Sequence, residues 1–136
     1  MDILKMQDKR LFETVMTYLG KEKPKLRILL GTAVALGPGK VALLEAVEKS
    51  GSITGAARQM GMSYRRAWNL IEAMNNDFKI PLVKTNSGGT GGGGAVVTKT
   101  GFDALKRYRL IENKAGKAVE KEILDFADLL KMSKKK

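Results

Sequence analysis

Three residues in the stretch SYRRAWNLIEAMNN, residues 63–76, have side chains built to read hydrogen-bond patterns: Arg65, Arg66 and Asn69. A guanidinium presents parallel donors that match guanine O6 and N7, and a carboxamide matches adenine N6 and N7. At about 100° per residue, these three fall with Glu72 and Ala73 on one side of a helix. Tyr64, Ala67, Trp68, Leu70, Ile71 and Met74 share the other side. Two readings compete for that polar front: an ordinary solvated face, or a surface for base edges.

Catalysis has little to work with. The chain holds no cysteine and no histidine, which removes thiolate nucleophiles, cysteine-ligated zinc, disulfides and the usual general base near neutral pH. Glu45, Glu48, Glu72, Asp77 and Asp103 are dispersed and read as surface charges rather than a catalytic pair or a metal cluster. The glycine cluster of residues 86–94, six glycines in nine positions, invites a phosphate-loop reading. That reading fails, because no lysine follows the run and Gly39-Lys40 is followed by Val41 instead of a magnesium-binding hydroxyl. No catalytic residue, metal or cofactor is expected, and the protein is read as not an enzyme.

Charge points the same way as the arginine pair. With 25 basic and 14 acidic residues the net charge is +11, which draws a protein to polyanions. The best apolar run, Ile28 to Leu36, contains Gly31 and falls short of the roughly 18 residues that span a bilayer. The N-terminus lacks the pattern of a signal peptide, so no membrane association and a cytoplasmic location are expected. The length of 136 residues allows one domain, or one domain with an appended helix.

The elements that must position these residues follow from periodicity and breakers. Residues 3–19 carry helical spacing ended by Gly20, and residues 21–25 form a linker. Residues 26–36 read as one or two short strands with a bend near Gly31-Thr32. Gly37-Pro38-Gly39 breaks the chain. A helix over 40–50 ends at Gly51, and Ser52 caps a short helix over 53–60 whose Ala56 and Ala57 permit close approach. Gly61 makes a turn, and Ser63 caps the third helix. Strands at 82–85 and 95–98 flank the glycine cluster. A last long helical pattern places Phe102, Leu105, Tyr108, Ile111, Ala115, Val119, Ile123, Phe126 and Leu130 at three- and four-residue steps, with Gly116 as the position to bend or divide it. That stripe reads as core or dimer packing before a cofactor groove. The basic tail of residues 131–136 reads as a solvated end. The fold class is therefore mainly α with a small β-hairpin wing: a winged helix-turn-helix with a long C-terminal helix. Three segments are expected: an N-terminal helix and linker (1–24), the winged helix-turn-helix (25–101), and a C-terminal dimerisation helix with basic tail (102–136).

The chain resembles the N-terminal DNA-binding domain of the ModE family of molybdate-responsive regulators and, more distantly, the helix-turn-helix domain of LysR-type regulators. The resemblance runs over roughly residues 37–110. It is carried by Gly37-Pro38-Gly39-Lys40, Leu43-Leu44, Gly51-Ser52-Ile53, Ala56-Ala57, Gly61, Ser63-Tyr64, Ala67-Trp68, Met74-Asn75, and the glycine run to Ala95 with Thr98 and Gly101 beyond it. It implies that Ser63, Tyr64, Arg65, Arg66 and Asn69 sit at operator DNA, with Tyr64 packing, contacting phosphate, or both. It implies that the wing meets the backbone or minor groove. Ser52, Thr54, Asn86, Gly88, Gly89, Gly91, Gly92 and Gly93 complete the expected contact set. It also implies a homodimer reading two half-sites on double-stranded DNA about one helical turn apart. The sequence departs from the family at Thr85 and Thr90, where a basic residue is usual, which shifts basic contact to Lys84 and Lys99. The chain ends at Lys136, before the family's molybdate-binding domain, so no oxyanion sensing is expected. The alternatives are a sequence-tolerant architectural DNA binder and a partner-binding adaptor on the same fold.

Overall fold

The computed structural model describes residues 28–30, 33–89 and 92–129. The expected helix over 3–19, the linker after it, Thr90 and Gly91 of the wing, and the basic tail lie outside the described residues. The chain divides into two units, one comprising Leu26–Arg109 and the other containing the chain from Leu110 onward.

In the first unit the chain opens with two short antiparallel strands, β1 (Ile28–Leu30) and β2 (Ala33–Leu36), paired Ile28 with Leu36 and Leu30 with Ala33. Helix α1 (Pro38–Ser50) follows. It starts two residues earlier than the sequence pattern suggests, because Pro38 occupies the first helical position, where its fixed φ fits and its missing N–H costs nothing. Val41, Leu43, Leu44, Ala46 and Val47 of α1 are all buried, so this helix is the spine of the core. Each of the valine and leucine side chains among them contributes about 1.5–3 kcal/mol on burial.

Helices α2 (Ile53–Met60) and α3 (Tyr64–Asn76) form the helix-turn-helix. Gly51 and Gly61 both take left-handed backbone conformations, with φ of 75° and 67°, which only glycine adopts without strain. Gly61 N–H closes back on the carbonyls of Ala57 and Arg58, and Met62 N–H on that of Ala57, so the turn is tight and fully bonded. The two caps are as expected. Ser52 Oγ accepts from Gly55 N–H at 2.9 Å, and Ser63 Oγ accepts from Arg66 N–H at 3.1 Å. Ser52→Ala and Ser63→Ala should each lower stability by about 1 kcal/mol, measured as a lower urea midpoint with an unchanged slope.

The wing is an antiparallel hairpin of β3 (Val83–Gly89) and β4 (Gly92–Val97). Both strands are longer than the sequence pattern suggests and reach into the glycine run, with Asn86 opposite Gly94 and Gly89 opposite Gly92. Cross-strand hydrogen bonds extend a ladder that low β-propensity alone would have ended earlier. Its root is bonded to the helices. Asn75 Oδ1 accepts from Leu82 N–H and Val83 N–H at 2.9 and 3.2 Å, and its Nδ2 donates to the Val83 carbonyl at 3.0 Å. Ala95 N–H donates to the Gly51 carbonyl at 2.8 Å. Thr98 Oγ1 donates to the Pro81 carbonyl at 2.7 Å and accepts from Gly101 N–H at 3.0 Å. Thr98 N–H also reaches the Leu82 carbonyl, and Phe102 N–H the Thr98 carbonyl. A side chain at Gly101 would collide with the Leu82 carbonyl and a Val97 methyl, so this close approach requires glycine.

Helix α4 (Lys99–Ala118) carries Tyr108, 1% exposed, into the core of the first unit, where Leu82, Val83, Ala95 and Val97 of the wing root are also buried. Helix α5 (Glu120–Ala127) follows it. The long helical pattern breaks at Val119, whose φ and ψ of −107° and 13° leave the helical region, and not at Gly116, which stays within α4 and is buried. The expected stripe is only partly buried. Phe102, Ile111 and Phe126 are exposed, as are Leu110 and Leu129, while Leu124 of α5 is buried.

Candidate nucleic-acid interface

The site is built from the N-terminal ends of α2 and α3 and from the wing. Capping by Ser63 fixes where α3 begins and so where its first turn points. That turn holds Arg65 and Arg66 and no acidic residue. Cations near the positive end of a helix dipole cost about 0.3–1 kcal/mol each, so this placement does not serve helix stability. Both arginines and Asn69 are exposed. Among the described residues, neither guanidinium forms an ion pair, whereas Lys40 pairs with Asp77 at 3.9 Å and Arg109 with Glu45 at 2.6 Å. An adaptor that had abandoned DNA would more naturally neutralise such cations within the chain.

The back of α3 differs from the wheel expectation. Ala67, Ile71 and Met74 are buried and Leu70 is partly buried, but Tyr64 is 53% and Trp68 40% exposed. The wheel sets both on the apolar side, with Tyr64 left to pack, to contact phosphate, or both. In the structure they line an open groove of about 370 Å³ between α3 and the wing, with Thr54 of α2, Thr85 and Asn86 of β3, and the Gly93–Gly94 backbone of β4. Trp68 was absent from the expected contact set. Its signal is its place at the edge of the apolar arc, next to Glu72 and Arg65 on the wheel.

The other expected residues fall as follows. Thr54 is exposed on the first turn of α2, and Ser52 is partly exposed. Each capping hydroxyl accepts a helix N–H, which leaves its own O–H free to donate. Lys84 is exposed on β3 opposite Val96, and Lys99 is exposed on the first turn of α4. Gly88 and Gly89 lie on β3, and Gly92 and Gly93 on β4. Arg65, Arg66 and Asn69 thus share one face near the start of α3, which Ser63 caps, while Tyr64 joins Thr54, Asn86 and Gly93 around the groove. Among the described residues no group of three or more acidic side chains is placed to hold a metal ion, and no helix is long and apolar enough to cross a membrane.

Residues 39–101 match the bacterial regulatory helix-turn-helix protein, lysR family. The chain is 41% identical over 108 residues to the molybdenum-pterin-binding protein MopB of Rhodobacter capsulatus, covering 76% of this chain and 40% of that protein. It is 39% identical over 87 residues to the transcriptional regulator ModE of Haemophilus influenzae, covering 64% of this chain and 34% of that one. It is 39% identical over 83 residues to the DNA-binding transcriptional dual regulator ModE of Escherichia coli K12, covering 61% and 32%. The chain thus spans two fifths or less of the length of these relatives.

Proposed function

We propose that the chain, whose residues 39–101 match the lysR family of bacterial regulatory helix-turn-helix proteins and which is similar to the ModE regulators, is a sequence-specific DNA-binding transcriptional regulator that grips its operator as a homodimer. The observation that carries this is the first turn of α3, where a serine cap aims two exposed arginines outward beside a wing. In this reading α3 enters the major groove, Arg65, Arg66 and Asn69 meet base edges, and the wing with Lys84 and Lys99 meets the backbone. Exposed Phe102, Leu110, Ile111, Phe126 and Leu129 supply apolar surface for a second copy. Molybdenum-pterin binding, which the names of two Rhodobacter capsulatus relatives mention, concerns chains of which this one spans about a third to two fifths.

The experiment is a titration and footprint on DNA from upstream of the protein's own gene, with random duplex as competitor. Binding at least about 1,000-fold tighter than to random DNA is expected, with each mismatch costing about 1–3 kcal/mol. Contacts to six to ten phosphates would give a salt slope of about −5 to −9. Paired protected half-sites about 10 base pairs apart would mark the dimer. Equal affinity for all duplexes with the same steep salt slope would instead identify an architectural binder.

A further inference from the structure

We propose that the groove between α3 and the wing seats the sugar-phosphate strand that divides the major groove from the minor groove. Trp68 would lie against a deoxyribose, and the side chains of Thr54, Tyr64, Thr85 and Asn86 would donate hydrogen bonds to its phosphate. This rests on the DNA-binding reading above and adds to it a specific occupant and a residue, Trp68, with a specific role.

The geometry leads there in three steps. A duplex that receives α3 in one groove and the wing in the next must pass one strand through the space between them. That space is this groove, with α3 on one side and β3 and β4 on the other. Its lining then fits a sugar-phosphate better than a base or a free ligand. It offers neutral donors, two hydroxyls from threonine, one from tyrosine and one carboxamide. Among the described residues none of these side chains has a hydrogen-bond partner of its own. The lining contains no cation; Arg65 and Arg66 stand beside it in sequence with Tyr64, and Lys84 beside Thr85. Finally, the aromatic rings supply apolar surface where a deoxyribose, the least polar part of the strand, would pass. The open form of the groove does not enclose a small molecule, which typically has most of its surface buried.

The groove is also rigidly based. Ala95 N–H is bonded to the Gly51 carbonyl and Asn75 holds the root of β3, so the two walls keep their separation. Neutral donors on a fixed frame position a strand without adding counterion release.

Trp68 is the sole tryptophan of the chain, so its emission reads the groove directly. The test uses the full chain, the duplex protected in the footprint above, and the variants Trp68→Ala and Trp68→Phe. Duplex binding should change Trp68 emission and shield it from acrylamide. Trp68→Ala should weaken binding about tenfold with an unchanged salt slope, and Trp68→Phe should weaken it less. A scan of single neutral methylphosphonates should find one or two positions per half-site that weaken the wild type, and weaken Trp68→Ala less, because its strand is held less closely to the donors. Thermal unfolding of each variant separates lost contact from lost fold. The proposal is overturned if the wild type binds its duplex while the tryptophan stays quenchable and both variants bind equally well. It is also overturned if replacing thymine by uracil, rather than phosphate by methylphosphonate, removes the effect of Trp68, since the ring would then read a base. A wild type that binds no duplex would sink the DNA-binding reading itself, a distinct outcome.

Discussion

Arg65→Ala and Arg66→Ala are expected to strip the protein of sequence discrimination while leaving it folded. Each arginine exposed on the first turn of α3 can make a bidentate contact to guanine, and losing one costs about 1–3 kcal/mol against the correct base. The double variant should bind its operator roughly 100- to 1,000-fold more weakly and random DNA only modestly more weakly. Its melting temperature should hold or rise, because two cations are removed from the positive end of a helix dipole, worth about 0.3–1 kcal/mol each. That combination, lost recognition with undiminished stability, is what separates a reading residue from a packing residue. If operator and random duplex weaken by the same factor, the two arginines touch phosphates alone and specificity lies elsewhere.

Asn75→Ala should have the largest effect on stability among polar substitutions. The carboxamide makes three hydrogen bonds to the backbone of Leu82 and Val83, both of which are buried. Alanine leaves two N–H groups and a carbonyl without partners, and each buried unsatisfied group costs about 1–3 kcal/mol. With partial relief by water, a loss of about 2–4 kcal/mol is expected, seen in urea unfolding. Hydrogen exchange should show the loss concentrated at the root of β3. Asn75→Asp keeps the acceptor for both N–H groups but sets a carboxylate oxygen against the Val83 carbonyl, so it should fall between wild type and alanine. A change below about 0.5 kcal/mol in Asn75→Ala, the range of an ordinary surface substitution, would show that the wing root is held by the apolar core alone.

What could be read from the sequence was local. Ser52, Gly51, Gly61 and Ser63 act within four residues of themselves, so their roles as caps and turns follow from residue type and position. The polar front of α3 was legible for the same reason, since neighbours on a helix face are set by the pitch. Trp68 reads as part of the apolar back because a wheel sorts residues by polarity and cannot know that the wing stands off from α3 and leaves a groove. The function of Asn75 was invisible because its partners lie seven and eight residues away across a turn. The break at Val119 was missed for the opposite reason: Gly116 is a weak helix former, yet a buried glycine inside α4 is tolerated, while the true break falls at a residue of unremarkable propensity.

Thr98 carries a consequence in the currency of partial unfolding. Through backbone and side chain it joins the Pro81 and Leu82 carbonyls to the first amides of α4. Releasing the wing root therefore exposes the start of α4, and fraying that start frees the wing root. The two cannot open separately, and they form one cooperative unit. Opening that joint draws on the stability of the core, because Leu82 and Val97 beside it are buried.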